Sequence, residues 1–349
     1  MHPSYKGRQL LSGLIVLAQM LLATHAQAYG FDKTAEQYLI PGYRQLADAT
    51  GLLRVSSDRY CSQPSEQQRA SLQSHYRSAF LAWQTVQPIR FGPVQYLNRD
   101  YRFELWPDKR GSVNRHLGQL LADPELDSAT FDITRKSAAV QGFSALEMLL
   151  FSEQPVDERS CRLIRAISSN LAHMALGTLR DWQQGDEPYL KHFKHPNPDN
   201  PMFESEPELA GQLLNSLYSQ LEVMLTQKLD RPLGETADKA RGSRAEGWRS
   251  ETSLAALDHN LEALQTIISL AFADELEPEL SRRIAQQFDI IRHSRQAMTL
   301  PLDRAVHDDA QRARVIDYRK ALSGLKQLVS IEIANELGLS LGFNSLDGD

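Results

Sequence analysis

Residues 156–182 read VDERSCRLIRAISSNLAHMALGTLRDW, and this stretch decides the fold. Its apolar residues return every three or four positions, which is the spacing of one face of an α-helix. They are Leu163, Ile164, Ile167, Leu171, Met174 and Leu179. The run is far longer than an ordinary β-strand. It therefore predicts a long amphipathic helix that buries one face in a core.

The same period recurs through most of the chain, whereas alternating strand patterns are scarce. Helical spacing runs through residues 67–86, 209–229, 254–272, 280–291 and 315–337. The sequence contains no Gly-rich phosphate loop, strand-mounted serine elbow or Cys-x-x-Cys motif. The pattern predicts an all-α protein built from two packed helical bundles.

Two segments of different composition interrupt the helical pattern. Residues 194–201 read KHPNPDNP, with three prolines in eight residues, which is typical of a connector. The charged, glycine-containing segment 230–247 is expected to form a second long loop. We therefore divide the mature chain into an N-terminal bundle, residues 29–195, and a C-terminal bundle, residues 202–349.

The overall composition excludes several classes of protein. The chain has 349 residues, of which 42% are hydrophobic and 23% charged, and this balance excludes a disordered or fibrous protein. The formal net charge is −6, and no basic run is dense enough to follow a phosphate backbone. Nucleic acid is therefore not an expected partner.

The first 28 residues have the pattern of a cleavable signal peptide. Lys6 and Arg8 precede an apolar run, residues 10–23, and the small-x-small cleavage site AQA follows at residues 26–28. The run is short for a bilayer span, which favours cleavage over an uncleaved membrane anchor. The mature chain is expected to start at Tyr29, to contain no transmembrane segment and to be exported, most simply to a bacterial periplasm.

Export determines how the two cysteines are interpreted. Cys61 and Cys161 are the only cysteines in the chain. In an oxidising compartment an even count favours a disulfide over free thiols. Two cysteines alone also make a poor zinc site. We therefore predict a disulfide between Cys61 and Cys161.

Residues 134–151, TRKSAAVQGFSALEMLLF, predict a buried helix with one polar stripe. The apolar run is interrupted by Gln141, Ser144 and Glu147, which recur every three residues and so share one face. A buried carboxylate needs an arginine, a metal or several hydrogen-bond donors. The stripe either faces a polar cavity or closes a buried ion pair, and the residues alone leave both open. Gly142 weakens a helix, which indicates that another segment packs closely against its backbone.

Aromatic, cationic and acidic side chains concentrate between residues 83 and 111. The cluster contains Trp83, Arg90, Arg102, Trp106, Asp108 and Arg110. Paired guanidinium donors and rigid indole walls suit an anion or carboxylate site. The same residue types also hold rigid interdomain loops in place through ion pairs. The spacing favours this second role because structural ion pairs are common.

Five segments together resemble the imelysin-like family of exported bacterial proteins. They are AWQTVQPIRFGP at 82–93, WPDKRG at 106–111, QGFSALEMLLF at 141–151, RAEGWRSETSL at 244–254 and GFNSLDGD at 342–349. The resemblance covers nearly the whole mature chain. It implies two helical bundles with a pocket between them and an association with iron uptake, in a family named after an insulin-cleaving protease. It also supports the disulfide.

The chain departs from this family at the metal motif. The signature Gly-x-His-x-x-Glu stands here as GFSALE at 142–147, with Ser144 in place of the histidine. Histidine and glutamate three residues apart can meet one metal, whereas serine is a poor ligand for zinc or ferrous iron. A divalent metal, iron or zinc, is therefore expected to bind weakly, with Glu147 as its ligand. No His-Glu-x-x-His provides the usual zinc-peptidase pair, which favours a protein without peptidase activity.

We interpret the chain as an exported imelysin-like protein, a noncatalytic ligand- or metal-binding accessory in iron acquisition. The alternatives are a metallopeptidase of the imelysin type and a structural partner-binding module. The expected partners are a small ligand or metal and an iron-uptake component. Predicted pocket residues are Trp83, Arg102, Trp106, Asp108, Arg110, Ser144, Glu147, Arg249, Asn344 and Asp347. In this interpretation Arg102, Arg110 and Arg249 supply cationic donors.

Overall fold

The computed structural model describes residues 29–153 and 156–341, and in these ranges all regular structure is helical. The predicted all-α class is confirmed. The α-helices are α1 (Phe31–Thr34), α2 (Ile40–Ser62), α3 (Glu66–Val86), α4 (Arg99–Phe103), α5 (Ser112–Ala122), α6 (Phe143–Leu150), α7 (Glu158–Gln183), α8 (Tyr189–Lys194), α9 (Glu206–Glu222), α10 (Arg231–Leu233), α11 (Ser253–Ala271), α12 (Pro278–Gln296), α13 (Leu302–Ala305), α14 (Asp309–Gln327) and α15 (Ala334–Glu336). None of these helices is long and apolar enough to cross a membrane.

Three π-helical stretches join neighbouring α-helices without a break in the chain direction. Ala35–Leu39 joins α1 to α2, Val223–Asp230 joins α9 to α10, and Leu328–Ile333 joins α14 to α15. Each contains hydrogen bonds over five residues rather than four, which changes the face that the following residues present.

Helices α3 and α7 follow directly from the local sequence. Ser65 caps α3 by accepting a hydrogen bond from the Gln68 amide at 3.2 Å, and Asp157 caps α7 by accepting one from the Ser160 amide at 2.8 Å. The apolar stripe of α7 is buried at Leu163, Ile164, Ile167, Leu171 and Met174. Burial of this face stabilises the helix more than its residue propensities do.

Helix α2 packs against both α3 and α7, so that these three long helices form the centre of the N-terminal part. The disulfide between Cys61 and Cys161 joins the end of α2 to the first turn of α7, with a Cα–Cα distance of 5.5 Å. The predicted pairing is confirmed.

The C-terminal part is organised around α12 and α14, which pack against each other, and α9 packs on α14. Helix α11 packs against α3 and thereby brings the two parts of the chain together. The proline-rich connector lies between α8 and α9. The division into domains at residues 29–195 and 202–349 stays a prediction.

The prediction of one helix over residues 134–151 is wrong. Short 3₁₀ turns occupy Ile133–Arg135 and Ala138–Val140, and α6 begins only at Phe143. Gly142 has an extended backbone, with φ −131° and ψ −160°. A Cβ atom there would lie 2.1 Å from the Phe103 carbonyl oxygen and 2.3 Å from that of Arg102. Another segment does pack closely against Gly142, as the sequence analysis inferred. The α4 backbone occupies the space beside Gly142, so the helix does not extend to residues before Phe143.

Some predicted features lie outside the described residues. These are the signal peptide, residues 1–28, and the two predicted pocket residues Asn344 and Asp347.

Candidate functional site

A cavity of about 240 Å³ lies where α3, α6 and α10 meet the loop 104–111 and the segment 243–249. Polar groups on its wall include Glu104, Asp108, Asn114, Ser144, Glu147, Arg231, Arg244 and Arg249, and the aromatic wall includes Tyr76, Phe80, Trp106 and Trp248. The volume suits a small molecule rather than a folded polypeptide.

Helix α6 delivers Ser144 and Glu147 to this cavity. The helix is apolar on its other faces, and Phe143, Ala145 and Leu146 are fully buried. This burial fixes the rotation of the helix and leaves its polar positions facing the cavity. Ser144 donates a hydrogen bond from Oγ to the Leu105 carbonyl at 3.2 Å, which ties α6 to the loop on the opposite wall.

Glu147 is held by Ser250 and not by an ion pair. Its Oε1 accepts hydrogen bonds from the Ser250 amide at 3.0 Å and from the Ser250 hydroxyl at 2.6 Å. Burial raises the pKa of Glu147, while the two Ser250 hydrogen bonds and the charge of Arg249 oppose this rise. Of the predicted stripe, Ser144 and Glu147 line the cavity, whereas Gln141 precedes α6 and is not part of the cavity wall.

Asp108 positions the first turn of α5 at the edge of the cavity. Its two carboxylate oxygens accept hydrogen bonds from the Ser112 and Val113 amides, each at 2.8 Å. A carboxylate at this place also interacts favourably with the helix dipole. Both oxygens are therefore hydrogen-bonded to α5, while the charge of Asp108 still acts on Arg231.

Three arginines reach the cavity without a carboxylate within ion-pair distance in the described part of the chain. Arg231 begins α10, Arg244 lies on the exposed rim, and Arg249 stacks over the Trp248 ring at 4.4 Å. Burial lowers the pKa of Arg231, the charge of Arg244 lowers it further, and Asp108 acts in the opposite direction. Two neighbouring like charges attract an anion.

A buried polar cluster lies behind the cavity and joins α3 to the C-terminal part. Lys228 and Glu246 are each 2% exposed, and Lys228 Nζ lies 2.7 Å from Glu246 Oε2. Neither oxygen of Glu246 has a well-oriented hydrogen-bond donor among the described residues. Lys228 Nζ donates to Gln84 Oε1 and Asn260 Oδ1, each at 2.6 Å. The ammonium thus connects α3, α11 and the π-helical stretch 223–230.

Glu104 lies between this cluster and the cavity. Its Oε2 accepts hydrogen bonds from Trp83 Nε1 at 2.9 Å and from Gln84 Nε2 at 3.3 Å. Burial raises the pKa of Glu104 well above its usual range, and the charge of Glu246 raises it further, whereas Lys228 and the Trp83 hydrogen bond oppose the rise. Glu104 therefore takes up a proton more readily than an exposed glutamate.

Replacing Glu104 with glutamine is expected to raise the melting temperature, and more so at pH 8 than at pH 5. A glutamate whose folded pKa is raised contributes stability below its unfolded pKa of about 4.3, and this contribution is lost as the pH rises through the folded pKa. Glutamine does not ionise, so this pH-dependent loss of stability is absent from the variant. Its side-chain oxygen can still accept the hydrogen bonds from Trp83 and Gln84.

Scanning calorimetry between pH 5 and pH 8 measures this difference. The matched control is Glu262→Gln, because Glu262 is exposed on α11. A stabilisation by Glu104→Gln that is independent of pH would show that Glu104 is ionised in the folded protein throughout this range.

The structure brings together about half of the predicted pocket residues. Trp106, Asp108, Ser144, Glu147 and Arg249 line the cavity. Trp83 lines an adjoining cavity of about 430 Å³ that shares Glu104, Leu105 and Trp106 with the first. As ligand contacts, all of them stay predictions.

Two predicted cationic donors lie elsewhere. Arg102 donates hydrogen bonds from Nε to Gln141 Oε1 at 2.7 Å and from Nη2 to Asn170 Oδ1 at 3.4 Å. It therefore connects α4 to the segment before α6 and to α7. Arg110 is exposed and is not part of the cavity wall.

Several residues of the site were missed by the sequence analysis. These are Glu104, Lys228, Arg231, Arg244, Glu246 and Ser250. Three of them lie in RAEGWRSETSL at 244–254, a segment that carries the family resemblance, and that resemblance was a usable signal. Lys228 lies in a helical pattern, and Arg231 lies in a charged segment. Nothing in the neighbouring sequence indicates that Lys228 is buried or that Arg231 faces a cavity.

The residues present do not fit the metal site that the family signature implies. Ser144 stands at the histidine position and uses its hydroxyl to bind the Leu105 carbonyl. Within residues 29–153 and 156–341, no group of three or more His, Cys, Asp and Glu side chains is arranged to hold a metal ion. Glu147 alone offers one good ligand where a stable site uses three or four.

Comparison with known proteins identifies the family. The sequence matches the imelysin family, peptidase M75, over residues 39–329. Among curated proteins, none matches the chain significantly.

Two crystal structures have the same fold. One is an imelysin-like protein from Psychrobacter arcticum 273-4, with a TM-score of 0.75, 20% identity, and coverage of 90% of this chain and 96% of that one. The other is a putative iron-regulated protein A precursor from Parabacteroides distasonis ATCC 8503, with a TM-score of 0.72, 13% identity, and coverage of 88% and 94%. Together with the family match over residues 39–329, they place the chain in the imelysin family.

Proposed function

We propose that this protein is an exported, noncatalytic accessory of iron acquisition that binds a small anionic ligand in the cavity between α6, α10 and the segment 243–249. The observation that carries the proposal is the set of three guanidinium groups, Arg231, Arg244 and Arg249, on one small cavity, with no carboxylate of the described residues within ion-pair distance of them. Arginine presents paired donors that match the geometry of a carboxylate or phosphate.

Export and the association with iron have separate support. The cleavage pattern at residues 26–28 and the disulfide between Cys61 and Cys161 agree with an oxidising compartment. The Parabacteroides structure is described as a putative iron-regulated protein A precursor. The family resemblance in the sequence also implies iron uptake.

The residues of the cavity support binding rather than hydrolysis. No histidine or cysteine is among the residues that line it. The hydroxyl of Ser144 donates to a backbone carbonyl, which cannot take its proton. The hydroxyl of Ser250 donates to the Glu147 carboxylate, but Ser250 is 1% exposed and does not line the cavity. We propose no peptidase step.

Loss of Arg231 and Arg244 is expected to weaken anion binding. Citrate, phosphate and sulfate serve as probes, and a bound probe raises the melting temperature of the folded protein by mass action. At least one should do so in the wild type, and Arg231→Gln/Arg244→Gln should weaken its affinity about tenfold or more, because charge-assisted hydrogen bonds are lost. Arg110→Gln is the matched control and should leave binding unchanged.

The same variants test the cellular role. In a strain that lacks the gene, the wild type and Arg110→Gln should restore growth in iron-limited medium, whereas Arg231→Gln/Arg244→Gln should not. If none of the probes binds, or if Arg110→Gln weakens binding as much as the double variant, the cavity is not an anion site. If the double variant restores growth fully, the cavity does not serve iron acquisition.

A further inference from the structure

We propose that the ligand of this cavity is a small hydroxy acid with two or more carboxylates, whose carboxylates bind the arginines and whose hydroxyl donates a hydrogen bond to Glu147. This inference rests on the proposed function and adds the chemical class of the ligand. It is based on two features of the same cavity. Guanidinium groups supply hydrogen-bond donors, and a carboxylate oxygen of Glu147 still needs a donor.

The arginine side of the cavity requires more than one negative group. Arg231 and Arg244 interact as like charges, and the nearby Asp108 has both oxygens engaged by the Ser112 and Val113 amides. Arg249 is a third cation, held in place by stacking on Trp248 at 4.4 Å. A single carboxylate can satisfy one guanidinium fork fully, so three forks are matched by a ligand with at least two carboxylates.

The opposite wall requires a hydrogen-bond donor. Ser250 supplies both hydrogen bonds to Glu147 Oε1, and no described residue donates one to Oε2. Glu147 is 7% exposed and lines the cavity, so a group that is bound there displaces the water available to this oxygen. An acceptor that is left without a donor costs free energy, and a ligand hydroxyl removes that cost.

The charge of the cavity favours a neutral donor over an ammonium group. The guanidinium groups of Arg231, Arg244 and Arg249 equal in number the carboxyl groups of Glu104, Asp108 and Glu147 on the wall, so the lining has no excess of negative charge to hold an ammonium group. An ammonium group would be repelled by the arginines, whereas a hydroxyl adds no charge. The volume of about 240 Å³ limits the ligand to a small molecule and excludes a polymer.

Two ligands that differ in one hydroxyl test the proposal on the wild-type mature protein. Citrate carries a hydroxyl between its three carboxylates, and tricarballylate has the same skeleton without it. Titration calorimetry should give citrate an affinity about tenfold or more higher, the usual effect of one hydrogen bond to a charged group. Equal affinities would overturn the inference, and this comparison needs no variant that has to fold.

A variant then assigns the hydroxyl to its acceptor. In Glu147→Gln the side-chain oxygen can stay on Ser250 and the amide NH₂ faces the cavity, so a negative charge and an acceptor are both removed. Citrate should bind more weakly and tricarballylate more tightly. A variant that merely disturbed the cavity would move both affinities in the same direction, and that outcome would overturn the assignment to Glu147. Glu262→Gln is the control and should change neither.

Failure of this inference differs from failure of the proposed function. If both acids bind equally and both depend on Arg231 and Arg244, the cavity is an anion site but the hydroxyl is not recognised. If neither acid binds, and phosphate and sulfate do not bind either, the proposed function itself is wrong.

Discussion

Replacing Lys228 with methionine is expected to lower the free energy of unfolding by about 3–5 kcal/mol, because it leaves a buried carboxylate without its counter-ion. Glu246 is 2% exposed, and Lys228 Nζ is its cationic partner at 2.7 Å. The variant also removes the hydrogen bonds that the ammonium donates to Gln84 Oε1 and Asn260 Oδ1, each at 2.6 Å, and to Gln87 Oε1 at 3.0 Å. Methionine has a similar length, so the effect reports lost charge and hydrogen bonding rather than a large cavity.

Chemical denaturation followed by circular dichroism measures this loss. Lys228→Met/Glu246→Gln should recover part of it, since the uncompensated charge is then absent. Lys239→Met is the control, because Lys239 forms an exposed ion pair with Glu235, four residues earlier, and its removal should cost less than about 1 kcal/mol. If Lys228→Met costs no more than Lys239→Met, the buried cluster does not depend on the ammonium.

Removing the disulfide is expected to cost about 4–5 kcal/mol in the chain-entropy description, since the bond closes a loop of 100 residues. The loop contains α3, α5, α6 and the segment 104–111, so it includes most of the residues that line the cavity. Without the bond these elements remain packed, but the unfolded chain gains freedom. Cys61→Ala/Cys161→Ala should therefore unfold at a lower denaturant concentration.

Reduction of the wild type provides the control for this variant. The reduced wild type and the double alanine variant should unfold at similar concentrations, and peptide mapping without reductant should recover the two cysteines in one linked pair. Two free thiols in protein from the periplasm, or a double variant as stable as the oxidised wild type, would contradict the expectation.

The long helices could be predicted because their signal is local. The apolar period of α7 is formed by residues of the helix itself, and its apolar stripe faces one core. The helix proposed over residues 134–151 failed because the chain at Gly142 is shaped by the carbonyls of Arg102 and Phe103, forty residues earlier. No window around Gly142 contains that constraint. Helices α2 and α5, which the sequence analysis did not identify, carry polar and glycine residues within their apolar pattern.

The site could be predicted in part, for a similar reason. Glu147 and Asp108 were identified because a buried or turn-located carboxylate is conspicuous in the sequence. Arg102 and Arg110 were chosen as donors on residue type, but the structure gives Arg102 amide partners and leaves Arg110 exposed. Arg231 and Arg244 lie in a charged segment that has the composition of a solvated loop. Which arginine lacks a carboxylate partner depends on tertiary contacts between segments that are distant in the chain. These contacts could not be predicted from the sequence.

The π-helical stretch Val223–Asp230 has a consequence for comparing this chain with its relatives. A π turn holds one residue more than an α turn between the same flanks, which is what a single inserted codon produces. One residue rotates the helix by about 100°, enough to move Lys228 from the interior to the solvent face. An alignment with a relative that lacks the stretch therefore needs a one-residue gap between positions 222 and 231. Without that gap, the buried ammonium is matched to a surface position of the relative.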